Sequence, residues 1–245
     1  TIHPVKHGTD QVDDPTTMDI DWLQTGHGGY QSLAPTIETV ENALSRQPKM
    51  PVLVSEVCYE GILEGSREEV QRFLFWTCLL CGAAGHTYGA NGIWQVNTPE
   101  QPHGLSPHGI SWGDTPWQDA YRLPGSRQLG LAKRVLERFA WWRFETHHEW
   151  IDPHQNAADR LSSYAAGIPS VVRIFYLPVA AIRFVRSDQP FLKALEAGIS
   201  YRAAWLDPKT GHTTDLGSFR GDPNGDYQLP KPPILQDWVL ILEAE

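Results

Sequence analysis

Apolar and polar positions along the chain form a strand–helix alternation first and a strand-rich tail afterwards. Val52, Leu53 and Val54 make an unbroken β-prone run, the pattern of a parallel strand covered on both faces, so 51–55 reads as a strand. Residues 1–5 and 19–26 read as two earlier strands, the second closing on His27-Gly-Gly. In 36–46, Ile37, Val40, Ala43 and Leu44 recur at helical spacing, with Pro35 at the start and Pro48 beyond the end. Ser66-Arg-Glu-Glu69 has the spacing of a capping box, and it opens an apolar helix that runs to Cys81 and stops at Gly82 and Gly85. Residues 86–90 read as a further strand. Residues 127–143 read as an amphipathic helix with Leu131, Val135, Leu136 and Phe139 on its apolar face.

This alternation, which lasts to about Trp150, predicts a parallel sheet covered by helices. Beyond Asp152 the character changes. Residues 171–177, 201–206, 213–216 and 238–242 read as strands, separated by turn signals at Asp207-Pro-Lys-Thr-Gly211 and Asp222-Pro-Asn-Gly225. The expected fold class is α/β followed by a small antiparallel β-sandwich, with domains at 1–149 and 150–245.

A chain of 245 residues is long enough for a substantial core in one or two domains. Its net charge of -9, pI near 5.5 and lack of a basic stripe argue against a nucleic-acid partner. The longest apolar run, 73–85, is broken by Thr77 and glycines and is too short to span a bilayer, so no membrane partner is expected. Cys58, Cys78 and Cys81 are odd in number and clustered. The CxxC spacing of Cys78 and Cys81 lies inside an apolar helix with no second pair, which favours buried small hydrophobes over metal or redox use. Neither a cofactor nor a metal ion is expected. Neither an initiator Met nor a signal segment precedes Thr1, and compartment and oligomeric state stay open. The ten tryptophans fit either a core or a carbohydrate cleft, where indole faces pack on sugar rings.

In parallel α/β folds, chemistry collects at the carboxyl ends of the strands. The groups expected at such ends are His3, then Gln24 and His27, then Glu56, then His86 and Tyr88. Glu56 is a carboxylate closing a buried strand, either catalytic or structural. Tyr59 either hydrogen-bonds Glu56 and keeps it ionised or packs as an ordinary aromatic. Glu60, past the turn, reads as a supporting or loop residue. The long loop after His86 adds Asn91, Trp94, His103, His108, Trp112 and Trp117, and loops of that length commonly carry function. Trp94 and Trp112 are sugar platforms or packing residues, whereas Trp205 and Trp238 read as core. Trp141 and Trp142, adjacent on the predicted helix, cannot both face its core side. His3, His27 and His86 also invite a metal reading, but the segment from His86 to Asn91 lacks the Asp that a metallohydrolase barrel places at its last strand.

Residues 51–61, together with Arg72-Phe-Leu-Phe-Trp-Thr-Cys-Leu-Leu-Cys-Gly-Ala-Ala-Gly-His-Thr-Tyr-Gly-Ala-Asn-Gly-Ile-Trp94, resemble the apiosidase-like glycoside hydrolases. Thr1-Ile-His-Pro4 and Trp22-Leu-Gln-Thr-Gly-His27 match the same pattern. The tail is similar to the domain appended to those enzymes and labelled collagen-binding, through Ile174-Phe-Tyr-Leu-Pro178, Ala204-Trp-Leu-Asp-Pro-Lys-Thr-Gly211, Pro232-Pro233 and Asp237-Trp-Val-Leu240. Nothing in the tail predicts a collagen surface.

The resemblance implies the carboxyl-terminal half of a (β/α)₈ barrel, strands five to eight, with Glu56 as nucleophile at the seventh. The family's acid/base lies at the end of the fourth strand, and the chain is expected to begin at the fifth. A retaining glycosidase needs two carboxyls roughly 5–5.5 Å apart, so the isolated chain is expected to be inactive. The implied substrate is a plant cell-wall glycan, with apiosides of pectin as the specific candidate. A secreted or periplasmic location fits such an enzyme. His3, Gln24, His27, Tyr59, His86, Tyr88, Trp94 and Trp112 are the expected sugar-binding residues. The rival readings are a non-catalytic carbohydrate-binding protein using Trp94 and Trp112, and a barrel metallohydrolase.

Overall fold

The computed structural model describes residues 1–62, 65–105, 112–182 and 189–245. They form two compact units: 1–79 with 83–130, and 80–82 with 131–245.

The first unit is built on a parallel sheet of three strands, β1 (Asp21–Gly26), β2 (Val52–Val57) and β3 (Gly85–His86), in that spatial order. Leu23, Val52 and Val54 are buried, as the apolar run predicts, and Leu23 stands beside Val54. The connection from β1 to β2 is helix α1 (Leu33–Ser45), whose Ile37, Val40 and Ala43 are buried at the predicted spacing. The connection from β2 to β3 is α2 (Glu68–Leu80), with Val70, Leu74, Trp76 and Cys78 inside.

The β1–β2 pairing is irregular. Leu23 pairs with Val54, yet the next residue, Gln24, pairs with Glu56 rather than Ser55. This bulge leaves Ser55 without a ladder partner, and its hydroxyl donates to the Leu23 carbonyl instead (2.8 Å).

Four expectations for residues 1–143 need correction. Residues 1–5 form no strand: the amino-terminal segment pairs with the β1 backbone at a His7–Leu23 bridge and where the Gln24 N–H donates to the Lys6 carbonyl (3.0 Å), and the Thr9 N–H donates to the Asp21 carboxylate (3.2 Å). Pro4 has no N–H to contribute to a ladder. The predicted strand 86–90 ends at His86, because the Thr87 hydroxyl turns onto the Ser55 carbonyl; pairing resumes only as a Glu60–Ala90 bridge. The capping box does not form. Helix α2 begins at Glu68, one residue later than a Ser66 cap would start it, its first turn closing on the Arg67 carbonyl, and Glu69 takes the Tyr30 hydroxyl instead (2.5 Å). The predicted helix 127–143 is α4 (Pro124–Leu136), with Pro124 at its first position, preceded by the short α3 (Trp117–Ala120). Trp141 and Trp142 therefore sit on a single 3₁₀ turn, with Trp142 exposed.

The second unit pairs all its strands antiparallel, with one parallel bridge at His154–Ser163 among the described residues. Its strands are β4 (Glu145–Thr146), β5 (Ile151–Asp152), β6 (Tyr164–Ile168), β7 (Val172–Leu177), β8 (Phe191–Leu192), β9 (Tyr201–Leu206), β10 (Thr213–Phe219), β11 (Tyr227–Gln228) and β12 (Trp238–Ala244). They form a six-stranded sheet, β10-β9-β12-β7-β6-β4, and a three-stranded sheet, β11-β8-β5. One apolar core is shared by both: Phe175, Leu177, Trp205, Trp238, Leu240 and Leu242 from the larger sheet, Ile151 and Leu192 from the smaller. Trp205 and Trp238 meet edge to face at 6.1 Å within it. The predicted turns hold: the Gly211 N–H donates to the Asp207 carbonyl and the Gly225 N–H to the Asp222 carbonyl, each at 2.8 Å. Among the described residues no helix is long and apolar enough to cross a membrane.

Candidate active site

The carboxyl end of β2 carries Glu56, and three side chains converge on it. Gln24 Nε2, brought alongside by the β1–β2 bulge, donates to Oε1 at 2.9 Å. His27 Nε2 stands 3.0 Å from the same oxygen, at the end of β1. His3 Nε2 stands 2.8 Å from Oε2. The His27 hydrogen bond first, and that of His3 after it, hold the Glu56 carboxyl down at about 2, outweighing the opposing effect of burial. Glu56 is thus ionised at any physiological pH while its side chain is only 17% exposed.

The chain turns sharply after β2. Cys58 has φ +39, the left-handed region that non-glycine residues rarely occupy, and its N–H donates to the Gly26 carbonyl at 3.0 Å. Gln71 Nε2 donates to the Cys58 carbonyl and secures the turn. Tyr59 then lies against His27, ring centroids 4.6 Å apart. Burial, with the Glu56 charge beside it, pushes the Tyr59 hydroxyl up to about 12, so it stays protonated. Trp112 meets the same His27 edge-on at 5.9 Å.

Glu60 is a different kind of carboxylate, 3% exposed. The Tyr88 hydroxyl donates to its Oε2 at 2.6 Å, and the Gly125 N–H, at the start of α4, donates to both oxygens at 3.0 and 3.1 Å. Burial outweighs these bonds and raises its pKa. It raises that of Tyr88 as well.

The other expected site residues stand apart from Glu56 in their recorded contacts. His86 is half-buried against Phe75, with both ring nitrogens shut from solvent and unpartnered among the described residues; burial lowers it to about 4. Trp94 is half exposed and packs edge-on with His103 at 5.2 Å. His108 lies outside the described residues. Asn97, which the residue pattern did not single out, is fully buried and organises the long loop: its Oδ1 accepts the His103 N–H (2.9 Å) and its Nδ2 donates to the Gly113 carbonyl (3.2 Å). An Asn between Gly- and Pro-rich stretches was the available signal. Cys78 and Cys81 are buried, as expected of small hydrophobes. Among the described residues no three His, Cys, Asp or Glu side chains are grouped to hold a metal ion.

A solved glycoside hydrolase superposes with a TM-score of 0.71 at 22% identity, covering 92% of this chain and 52% of that one. A glycoside hydrolase family 5 protein from Bacteroides vulgatus ATCC 8482 superposes with a TM-score of 0.72 at 20% identity, covering 98% of this chain and 53% of that one. At these identities the likeness is one of fold, and the chain spans about half the length of the structures it matches. No curated protein matches. The family described as "Apiosidase-like, catalytic domain" matches residues 1–143, more than half of the chain. This chain belongs to the apiosidase-like family.

Proposed function

We propose that the chain is the carboxyl-terminal part of a retaining glycoside hydrolase in which Glu56 is the nucleophile. The observation that carries this reading is the Glu56 carboxylate itself, at a strand end, ionised down to a pH of about 2 and held by Gln24, His27 and His3. A nucleophile must be ionised and aimed before substrate arrives, and such an arrangement meets both needs. In the first step a carboxylate oxygen would bond to the anomeric carbon while the glycosidic bond breaks and the leaving oxygen is protonated. Water would then release the sugar, restoring Glu56.

The acid/base partner is proposed to come from outside these 245 residues. Glu60 is an unsuitable partner, since it is buried and bonded to Tyr88 and Gly125. Three parallel strands cannot close an eight-stranded barrel, and the matched solved structures are about twice as long. We therefore read the parallel unit as half of a (β/α)₈ barrel and the antiparallel unit as a β-sandwich accessory domain, with the boundary near 149/150. In this scheme His3, Gln24, His27 and Tyr59 fix the carboxylate or bond the sugar next to it. Trp94 and Trp112 serve the wider cleft, whereas His86 has its ring nitrogens shut from solvent and Tyr88 is bonded to Glu60. Family membership favours a plant cell-wall glycan, with pectin apiosides as the first substrates to try.

The test is Glu56→Ala in the complete enzyme, assayed on aryl glycosides. Loss of a nucleophile costs on the order of 10⁴–10⁶ in kcat. Added azide should restore turnover by taking the vacated place and yield a glycosyl azide of inverted configuration. Near-normal turnover, or no rescue by azide on an activated substrate, would sink the assignment.

A further inference from the structure

Both ring nitrogens of His27 are occupied, and from opposite directions. Nε2 faces Glu56 Oε1 at 3.0 Å, while Nδ1 accepts the backbone N–H of Tyr59 at 3.3 Å. An imidazolium has no acceptor, and the alternative neutral tautomer would set Nδ1–H against the Tyr59 N–H. Only the neutral ring with its proton on Nε2 satisfies both contacts. That ring donates to the carboxylate, which has no proton of its own to give.

The Tyr59 amide reaches His27 because of the turn before it. Cys58 at φ +39 reverses the chain immediately after β2, its own N–H tied to the Gly26 carbonyl and its carbonyl tied to Gln71. Left-handed backbone at a non-glycine residue persists only where the surroundings hold it, and it gathers at functional sites. Here its effect is to aim one amide at one imidazole nitrogen.

We propose that His27 is a positioning residue whose tautomer is set by the Tyr59 backbone, so that a neutral imidazole donor aims the Glu56 carboxylate and keeps it ionised. This rests on the reading of Glu56 as the reacting group, and it departs from a sugar-binding role for His27, since neither nitrogen is left for a hydroxyl. The titratable groups facing Glu56 are His3, His27 and Tyr59; those facing His27 are Glu56 and Tyr59, with the uncharged Trp112 edge-on.

Two substitutions separate the two nitrogens. His27→Asn keeps an acceptor near the place of Nδ1 but has nothing that reaches Glu56. His27→Gln places an amide N–H near the place of Nε2. The measurement is the ¹³C carboxyl titration of Glu56 in the intact protein, with Glu56→Gln identifying the resonance. The proposal requires Glu56 to titrate about one unit or more higher in His27→Asn, with most of that shift absent in His27→Gln. The acid limb of kcat/KM should move to higher pH in the Asn variant, because the group needed ionised is then protonated sooner. An unmoved Glu56 in His27→Asn, or equal shifts in both variants, overturns the proposal. The ¹⁵N shifts of the wild-type His27 ring at neutral pH need no variant: a proton on Nδ1 overturns it, and a proton on Nε2 alone supports it. Should Glu56 titrate as required while azide fails to rescue Glu56→Ala, the nucleophile reading falls and the tautomer assignment stands.

Discussion

Removing the Glu60 carboxylate tests whether it is a structural pin rather than a catalytic acid. Glu60 accepts the Tyr88 hydroxyl and the Gly125 N–H, and Gly125 lies in the first turn of α4, where N–H groups have no partner within the helix. Glu60→Ala strands both donors. Each buried unsatisfied donor costs about 1–3 kcal/mol, and the half-buried Tyr88 can recover water, so the Gly125 amide dominates and the expected loss is about 2–3 kcal/mol. Glu60→Gln behaves differently. Its amide oxygen accepts from Gly125, and its NH₂ donates to the Tyr88 oxygen, since a hydroxyl serves as donor or acceptor. Its cost should stay within about 1 kcal/mol.

The pH dependence adds a sign. The folded-state pKa of Glu60 is raised, so the native state holds this proton more tightly than the unfolded chain does. Its contribution to stability is therefore fully present below the unfolded carboxylate value and is lost as pH rises through the folded one. Gln carries no such proton, so Glu60→Gln should gain on wild type over that rise. Urea midpoints read by tryptophan fluorescence give the energies, and hydrogen exchange of the Gly125 amide reads the bond itself. An unchanged midpoint with Gly125 still protected in Glu60→Ala, or equal damage from Gln and Ala, would refute the reasoning.

Two further outcomes follow from the same contacts. Glu56 is lowered from 4.5 to about 2, so its contribution is present above the unfolded value and lost as pH falls through that window, amounting to about 3 kcal/mol. The stability gap between wild type and Glu56→Gln should thus be widest near neutrality and shrink on acidification; a gap independent of pH would contradict the geometry. Gly92 has φ +89, and a Cβ there would lie 2.0 Å from the Thr115 carbonyl oxygen, so Gly92→Ala should lower stability by about 2 kcal/mol or more. An unshifted melting transition by calorimetry would count against that close approach.

Legibility in the sequence followed the range of the interactions involved. Strand β2 and its closing carboxylate were readable because Val52, Leu53 and Val54 are contiguous, and β9 coincides with the predicted 201–206. Helices α1 and α2 were readable from their apolar residues together with the flanking Pro35, Pro48, Gly82 and Gly85. Strand β6 was not, although four of its five residues are buried, since Tyr-Ala-Ala-Gly-Ile has little β signal and depends on Gly167 lying against β7. The strand expected at residues 1–5 failed for the opposite reason: its side chains suit a strand, but Pro4 and its approach to β1 do not make a ladder.

By itself the sequence determined the alternation of strand and helix, the change to an antiparallel tail, and the placing of one carboxylate at a strand end. These depend on hydrophobic periodicity, which is local. Tertiary structure decided how that carboxylate is held. Its partners Gln24, His27 and His3 lie 32, 29 and 53 residues away along the chain. A one-residue bulge puts Gln24 beside Glu56 rather than Ser55, and a left-handed Cys58 aims the Tyr59 amide at His27. Register and backbone handedness arise from packing between segments distant in sequence, and no local pattern encodes them.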